Sequence, residues 1–279
     1  MVQKISVSII MGIYNTPDSQ ILKKAIDSIC EQTFTEWECI ICDDGSLDNT
    51  YKLLLSLTRQ DQRFKIIRNE KNLGLAASLN HCLEYVRGRY IARMDADDIN
   101  FPDRLEKEAA FLEQNMQYHL VGSAAELFDE EGVWGCRKMP EMPDKRNFLW
   151  GSPFIHPTIM IRRETLFQVH GYRVAKETMR TEDYDLFMRL YAEEVQGYNI
   201  QEPLYYFRED KAARKRKKYR YRLDEVKIRW RGFCRLRMMP QGILYVIKPL
   251  IVGLIPYSLL VRLRGDKRRK RKERIEKRE

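Results

Sequence analysis

The chain reads as an α/β protein: a mainly parallel sheet flanked by helices, followed by a basic helical appendage. Three observations predict this. Short apolar runs alternate with stretches of helical periodicity from the N-terminus onward, the signature of parallel strands joined by crossover helices. Acidic or glycine-bearing turns close those runs at Tyr14-Asn15, at Asp43-Asp44-Gly45-Ser46 and at Asp95-Ala96-Asp97-Asp98, where such sheets collect ligands at the carboxyl ends of their strands. Charge is also unevenly divided: residues 1–207 carry 24 Lys and Arg against 32 Asp and Glu, whereas 208–279 carry 26 against 8. The expected division is therefore 1–207 as one catalytic-sized domain, with halves at 1–117 and 118–207, and 208–279 as the appendage.

In chain order, the run 5–13 is the first strand, and the spacing predicts a helix over 19–32. Trp37-Glu38-Cys39-Ile40-Ile41-Cys42 reads as a buried strand (37–43) that must turn at Asp43-Asp44-Gly45-Ser46. A helix over 49–60 and a strand over 64–69 follow. Asn72-Leu73-Gly74 opens a helix over 74–86, and Arg89-Tyr90-Ile91-Ala92-Arg93-Met94 (strand 89–94) runs into three carboxylates within four residues. A helix is expected over 103–115, strands over 119–128 and 157–163, and a turn around Gly132 to Gly135. Thr181-Glu182-Asp183-Tyr184-Asp185 opens an amphipathic helix with Leu186, Phe187, Leu190 and Tyr191 on its apolar side.

Some chemistry follows from residue types alone. Hard divalent cations want oxygen ligands, and two carboxylates two apart at a strand end can share one such ion and a diphosphate that it bridges. A single Asp-x-Asp is more often a solvated turn, and Asp185 reads as a structural acid. The six cysteines are scattered, and Cys39 and Cys42 are offset by three within a strand, so they point to opposite faces. Zinc or redox chemistry is therefore disfavoured, and a reducing compartment is expected. The Ile5 to Ile13 run is too short for a signal peptide and is better read as a strand.

Taken together and in order, these signals resemble the family 2 glycosyltransferases of the GT-A fold, over residues 5 to 207. The matching segments are Ser6-Val7-Ser8-Ile9-Ile10-Met11-Gly12-Ile13-Tyr14-Asn15, Asp43-Asp44-Gly45-Ser46, Asn72-Leu73-Gly74-Leu75-Ala76-Ala77-Ser78-Leu79-Asn80 and Asp95-Ala96-Asp97-Asp98. Phe101-Pro102-Asp103-Arg104-Leu105, His156-Pro157-Thr158-Ile159-Met160-Ile161-Arg162 and Thr181-Glu182-Asp183 complete the set. Within the family the chain is most similar to transferases of bacterial exopolysaccharide and cell-surface glycan clusters.

The resemblance implies a metal-dependent, inverting enzyme that moves a sugar from a nucleotide-sugar, commonly a UDP-sugar, to a glycan or lipid-linked acceptor. Asp97 then matches the ligand of Mn²⁺ or Mg²⁺, with Asp95 contacting ribose or the metal. Tyr14 matches the ring that stacks on the base and Asp44 the carboxylate that reads it, with Asn15, Asn72 and His156 as further nucleotide-sugar contacts. Asp183 matches the general base, with Glu182 as its companion. One departure is Gly12, where relatives frequently carry Pro or Thr nearby; Tyr14-Asn15 is intact. The Gln-x-x-Arg-Trp motif of processive members is missing after Asp183, and Arg229-Trp230-Arg231 only echoes it, so single-sugar addition is expected.

The appendage begins with a basic run over 211–222, continues as a basic amphipathic helix from Leu223 to Met239, and then as an apolar segment from Gly242 to Val261 interrupted by Lys248, Pro249 and Pro256. Those interruptions suit an in-plane or re-entrant segment better than a spanning helix. Docking to an anionic membrane surface accounts for both charge and apolarity, whereas nucleic-acid binding accounts for charge alone, so no nucleic-acid partner is expected. A polyprenyl-linked acceptor and a place on the cytoplasmic face of the membrane fit this reading; a protein partner for the basic tail is the alternative. Two rivals for the whole chain are a sugar-nucleotide nucleotidyltransferase, which would show a Gly-rich, Arg-containing loop after the first strand, and a non-catalytic adaptor on a degenerate transferase domain.

Overall fold

The computed structural model describes residues 5–16, 18–209 and 220–254. Its sheet begins with β1 (Val7–Ile13), β2 (Trp37–Asp43), β3 (Phe64–Arg68) and β4 (Tyr90–Arg93), joined by helices α1 (Ser19–Cys30), α2 (Thr50–Thr58) and α3 (Leu75–Leu83). These four strands are mutually parallel in the order β3-β2-β1-β4. The chain then forms β5 (Ile99–Asn100), α4 (Arg104–Gln114), β6 (Leu120–Asp129), β7 (Gly132–Arg137), β8 (Met160–Arg162), α5 (Arg163–Gln168), α6 (Glu182–Ala192) and β9 (Gly197–Arg208). Among the described residues this makes one nine-stranded sheet that continues β4-β8-β6-β9-β5, with β7 pairing on β6. β8 is antiparallel to β4 and to β6, and β9 runs parallel to β6.

A strand covered on both faces must be apolar on both, which is why β1 and β2 read as continuous apolar runs. Val7, Ile9, Met11 and Ile13 join one core layer with Leu22, Ile26 and Leu112, while Ile10 joins the other with Leu79, Phe187 and Leu190. Cys39 and Cys42 fall in different layers, as their offset requires.

Several elements differ from expectation, the short β5 and α5 among them. Gly132 to Gly135 is not a turn: it lies in β7, the second arm of a hairpin on β6, whose exposed edge position leaves only weak apolar patterning. The expected strand over 157–163 shrinks to β8, because Pro157 lacks an N–H and the chain makes a 3₁₀ turn over His156–Thr158 first. β9 was not foreseen; its register shifts twice against β6 beside Pro203, which hides the alternation.

Beyond β9 lie α7 (Arg220–Arg235) and α8 (Ile243–Leu254), with Pro249 inside α8. The basic run over 211–219, the second half of the apolar segment (255–261) and the basic end (262–279) lie outside the described residues. α7 packs on α6 through Ile228 and Phe233, joined by Leu236 just beyond its end; all three are buried in the same core layer as Phe187 and Leu190. Gly232 permits the approach: a Cβ there would fall 2.1 Å from Met188 Sδ. Arg229 pairs with Glu225 and donates to the Leu149 carbonyl at 3.0 Å, and Arg231 pairs with Glu177. Among the described residues no helix is long and apolar enough to cross a membrane.

Candidate active site

The carboxyl ends of β1 and β2 form one end of the site. Tyr14 leaves β1 with 42 % of its surface exposed, and Asn15 adopts φ 45°, a left-handed conformation that Asn tolerates better than most residues. The Asn15 N–H donates to Ser46 Oγ at 3.0 Å, and the Leu47 N–H donates to Asn15 Oδ1 at 2.9 Å, so the two strand-end loops hold each other. Asp44 is buried and accepts from Asn69 Nδ2 and from the Leu73 and Gly74 N–H groups at 2.7–2.9 Å. Its carboxylate thereby fixes the loop that opens α3. Gly45, at φ +68°, lies so close to the Lys71 backbone that a Cβ would sit 2.6 Å from it, which brings the exposed Asn72 alongside. Tyr14, Asn15, Asp44 and Asn72 therefore lie together at the carboxyl ends of β1 and β2, Tyr14 and Asn72 open to solvent.

The carboxyl end of β4 supplies the acidic centre. Asp95, Asp97 and Asp98 each place a carboxylate oxygen within 4.8 Å of the others. Arg93, buried at the end of β4, shares a strand face with Asp95 and donates to both of its oxygens at 2.5 and 2.6 Å. The Asp95 N–H donates to the Tyr205 hydroxyl at 3.1 Å. Asp98 is buried and accepts the Arg208 N–H at 2.7 Å, tying the loop to the end of β9. Beneath them, Arg104 is fully buried: it pairs with Glu108 and donates to the Asn100 side chain at 2.7 Å and the Arg93 carbonyl at 3.0 Å.

The crowding shows in the protonation of Asp97 and Asp98. Asp97 is open to solvent, yet the protein around it and then the charge of Asp95 push its carboxyl up to about 6. Burial, and then Asp95 and Asp97, raise Asp98 well above the usual carboxylate range, and its buried Oδ2 has no protein partner. A donor set of hard oxygens, mutually repelling and partly open to solvent, fits a divalent cation. Asp97, with Asp95 beside it, would hold one.

The half after β6 brings the proposed base. Thr181 stands at the N-cap position of α6, so Glu182 and Asp183 lie in its first turn, near the positive end of the helix dipole. Both are half-buried. Burial raises Asp183 above its ordinary value, opposed by the Tyr184 N–H and by the Arg93 guanidinium. Glu182 is pushed up to about 7, first by burial and then by the charge of Asp183. His156 is buried, with Nε2 2.9 Å from the Tyr172 hydroxyl; burial, reinforced by Arg93, holds its imidazole neutral. Tyr172 is fastened to α3 by two hydrogen bonds with the Asn80 side chain. Asp185 is a structural acid clamped by Arg173 and Arg189.

Arg93 thus lies within electrostatic reach of Asp95, Asp97, Glu182, Asp183 and His156. Sequence reasoning missed it, along with Tyr172 and Tyr205. The available signal was a lone arginine in an otherwise apolar strand, which must find a partner if buried.

Comparison with known proteins agrees with this geometry. The glycosyl transferase family 2 model matches residues 8–171. EpsE of Bacillus subtilis (strain 168), described as a glycosyltransferase, is 41% identical over 274 residues, 98% of each chain. The UDP-Gal:alpha-D-GlcNAc-diphosphoundecaprenol beta-1,3-galactosyltransferase of Escherichia coli is 30% identical over 258 residues, 90% of this chain and 92% of that protein. Among solved structures, S. aureus TarS 1-349 in complex with UDP-GlcNAc matches with TM-score 0.69 at 16% identity, over 88% of this chain and 73% of that one. The mannosyltransferase PcManGT from Pyrobaculum calidifontis, in complex with GDP-Man and Mn2+, matches with TM-score 0.61 at 16% identity, over 96% and 83%. With these acids gathered on a sheet of this topology, and with relatives matched from end to end, the chain belongs to glycosyl transferase family 2 and is a glycosyltransferase of the GT-A fold.

Proposed function

We propose that this glycosyltransferase moves one sugar from a UDP-sugar to a lipid-linked glycan acceptor at a membrane surface, in bacterial polysaccharide biosynthesis, with inversion and with help from a divalent metal. The single observation that carries the reading is the convergence of Asp95, Asp97 and Asp98 with Glu182 and Asp183 about the Arg93 guanidinium.

Tyr14 offers an exposed ring for the uracil to stack on, and Asp44, already held by three donors, presents a rigid carboxylate toward it. Asn15 and Asn72 stand beside them at the same strand ends. A Mn²⁺ or Mg²⁺ ion held by Asp97 and Asp95 would supply Lewis-acid neutralisation of the leaving diphosphate. Asp183 accepts the acceptor hydroxyl proton as that oxygen attacks the anomeric carbon and the bond to the diphosphate breaks, one displacement that inverts the centre. Glu182, protonated at mildly acidic pH, keeps a second negative charge away from the base. His156 holds Tyr172 and the wall of the site. The E. coli relative acts on a diphosphoundecaprenol-linked sugar, which supports the acceptor class; TarS and PcManGT, whose solved complexes contain nucleotide-sugars, support the donor class.

The test is a panel of UDP-sugars incubated with N-acetylglucosaminyl-diphosphoundecaprenol and Mn²⁺, with product mass read by mass spectrometry. A mass gain of one hexose or N-acetylhexosamine, dependent on Asp183, is expected. UDP-sugars that are bound but never transferred, with Asp183→Asn indistinguishable from wild type, would favour a non-catalytic role instead.

A further inference from the structure

The appendage carries an unusual surface. α8 buries Val246 and Pro249 against the core, while Leu244, Ile247 and Ile251 point outward with 74, 43 and 59 % of their surface exposed. Their spacing places them on one helical face, a stripe no described element covers. Trp150, of the catalytic domain, extends it: the ring is 67 % exposed, packs edge-on against Tyr245, and lies under the Lys248 ammonium at 4.5 Å.

The exposed charges of α7 and α8 have one sign. α7 exposes Lys227, Arg231 and Arg235 at successive helical turns, with Trp230 beside them. Its acids are not on show: Asp224 is buried, and Glu225 is held by Arg222 and Arg229. Among the described residues of α7 and α8, no exposed side chain is acidic. An ordinary solvated face mixes signs, as α1 does with exposed Lys23 paired to Asp27. Leu and Ile on the outer face, Trp at the margin and only Lys and Arg alongside make the composition of a helix lying in a membrane interface.

We propose that the outer face of α8, with Trp150 and the basic edge of α7, docks the protein flat on an anionic lipid bilayer, and that this docking fixes the base helix relative to the lipid surface. This rests on the lipid-linked acceptor reading above. Charge complementarity selects the bilayer over an apolar protein groove, because Lys248 borders the apolar stripe and the exposed charges of both helices are basic. The mechanical connection is short: Gly232 brings α7 against Met188 of α6, Arg231 pairs with Glu177, and the Arg180 guanidinium lies over Tyr221 just before Glu182-Asp183. A chain seated through α7 and α8 therefore carries Asp183 at a set height, so that an acceptor anchored in the same membrane meets the base without a search in depth.

The experiment is vesicle flotation of the full chain with phosphatidylglycerol-containing and with purely zwitterionic vesicles, at low and high salt. It compares wild type with Leu244→Ser/Ile247→Ser/Ile251→Ser and with Lys227→Glu/Arg235→Glu. Wild type floats with anionic vesicles and partly resists salt; the apolar triple variant loses roughly tenfold or more of its partitioning at high salt; the charge variant loses binding mainly at low salt. Since every altered side chain is exposed, thermal midpoints and Mn²⁺-dependent UDP affinity, measured on the same samples, stay at wild-type values. Wild type that does not float, or a triple variant that floats as wild type does, overturns the proposal. So does a triple variant that turns a wild-type dimer into a monomer in light scattering, which would assign the stripe to a second copy. Failure of UDP binding in wild type would instead strike the transferase reading, and flotation would still be read separately.

Discussion

Arg93 organises the acidic centre at the scale of single residues. It pairs with Asp95 through two charge-assisted hydrogen bonds and lends positive potential to Asp183, the base proposed above, opposing the rise that burial imposes on its carboxyl. Asp183→Asn keeps the shape but removes the basic oxygen; kcat should fall by roughly 10²–10⁴ with donor affinity nearly unchanged, as steady-state kinetics beside UDP titration will show. Arg93→Met should leave Asp95 without its cation in a recessed site and cost on the order of 3 kcal/mol by chemical denaturation, an intact denaturation midpoint being the contrary result. Asp44, Asp95 and Asp97 were legible in the sequence because each stands where an apolar run stops, and Glu182 and Asp183 because they open an amphipathic helix. Arg93 was not, since one charge inside a strand looks the same whether it faces solvent or a buried carboxylate; nor was Asp98, whose burial depends on β9, more than a hundred residues downstream.

At the scale of elements, the parallel strands β1, β2 and β4 were legible because strands covered on both sides are unbroken apolar runs closed by turn residues. β9 was illegible for the opposite reason: bulges beside Pro203 break its period, and its pairing with β6 and β5 is long-range. The same holds for the seat of α7 on α6, which depends on Gly232 meeting Met188, a contact no local pattern announces. Phe233 is a large, fully buried side chain of that joint. Phe233→Ala should cost about 3–5 kcal/mol in equilibrium unfolding and detach α7 and α8 from the catalytic domain, which limited proteolysis between α6 and α8 would report. Resistance to cleavage equal to wild type would mean that the joint is held elsewhere.

For the whole molecule, the clustered acids make stability depend on pH in an unusual sense. Folding raises Glu182 to about 7 and Asp97 to about 6, both above their ordinary values near 4, so the folded chain binds protons more tightly than the unfolded one. Their favourable contribution is complete below about pH 4 and is lost as pH rises through 6 and 7. Without divalent metal, the thermal midpoint should therefore fall between pH 5 and pH 8, and Mn²⁺ should raise it more at pH 8, where the cation need not displace protons. A midpoint that climbs over this range would show that other groups dominate. The central claim is that Asp97 and its neighbours, at the end of β4, join a metal to a nucleoside diphosphate while Asp183, at the start of α6, does the chemistry beside them. Its most direct test is calorimetric titration of UDP into wild type, Asp97→Ala and Asp183→Asn, with and without Mn²⁺. The account predicts Mn²⁺-dependent binding that Asp97→Ala abolishes in a folded protein and Asp183→Asn leaves intact; undiminished Mn²⁺-dependent affinity in Asp97→Ala would contradict it.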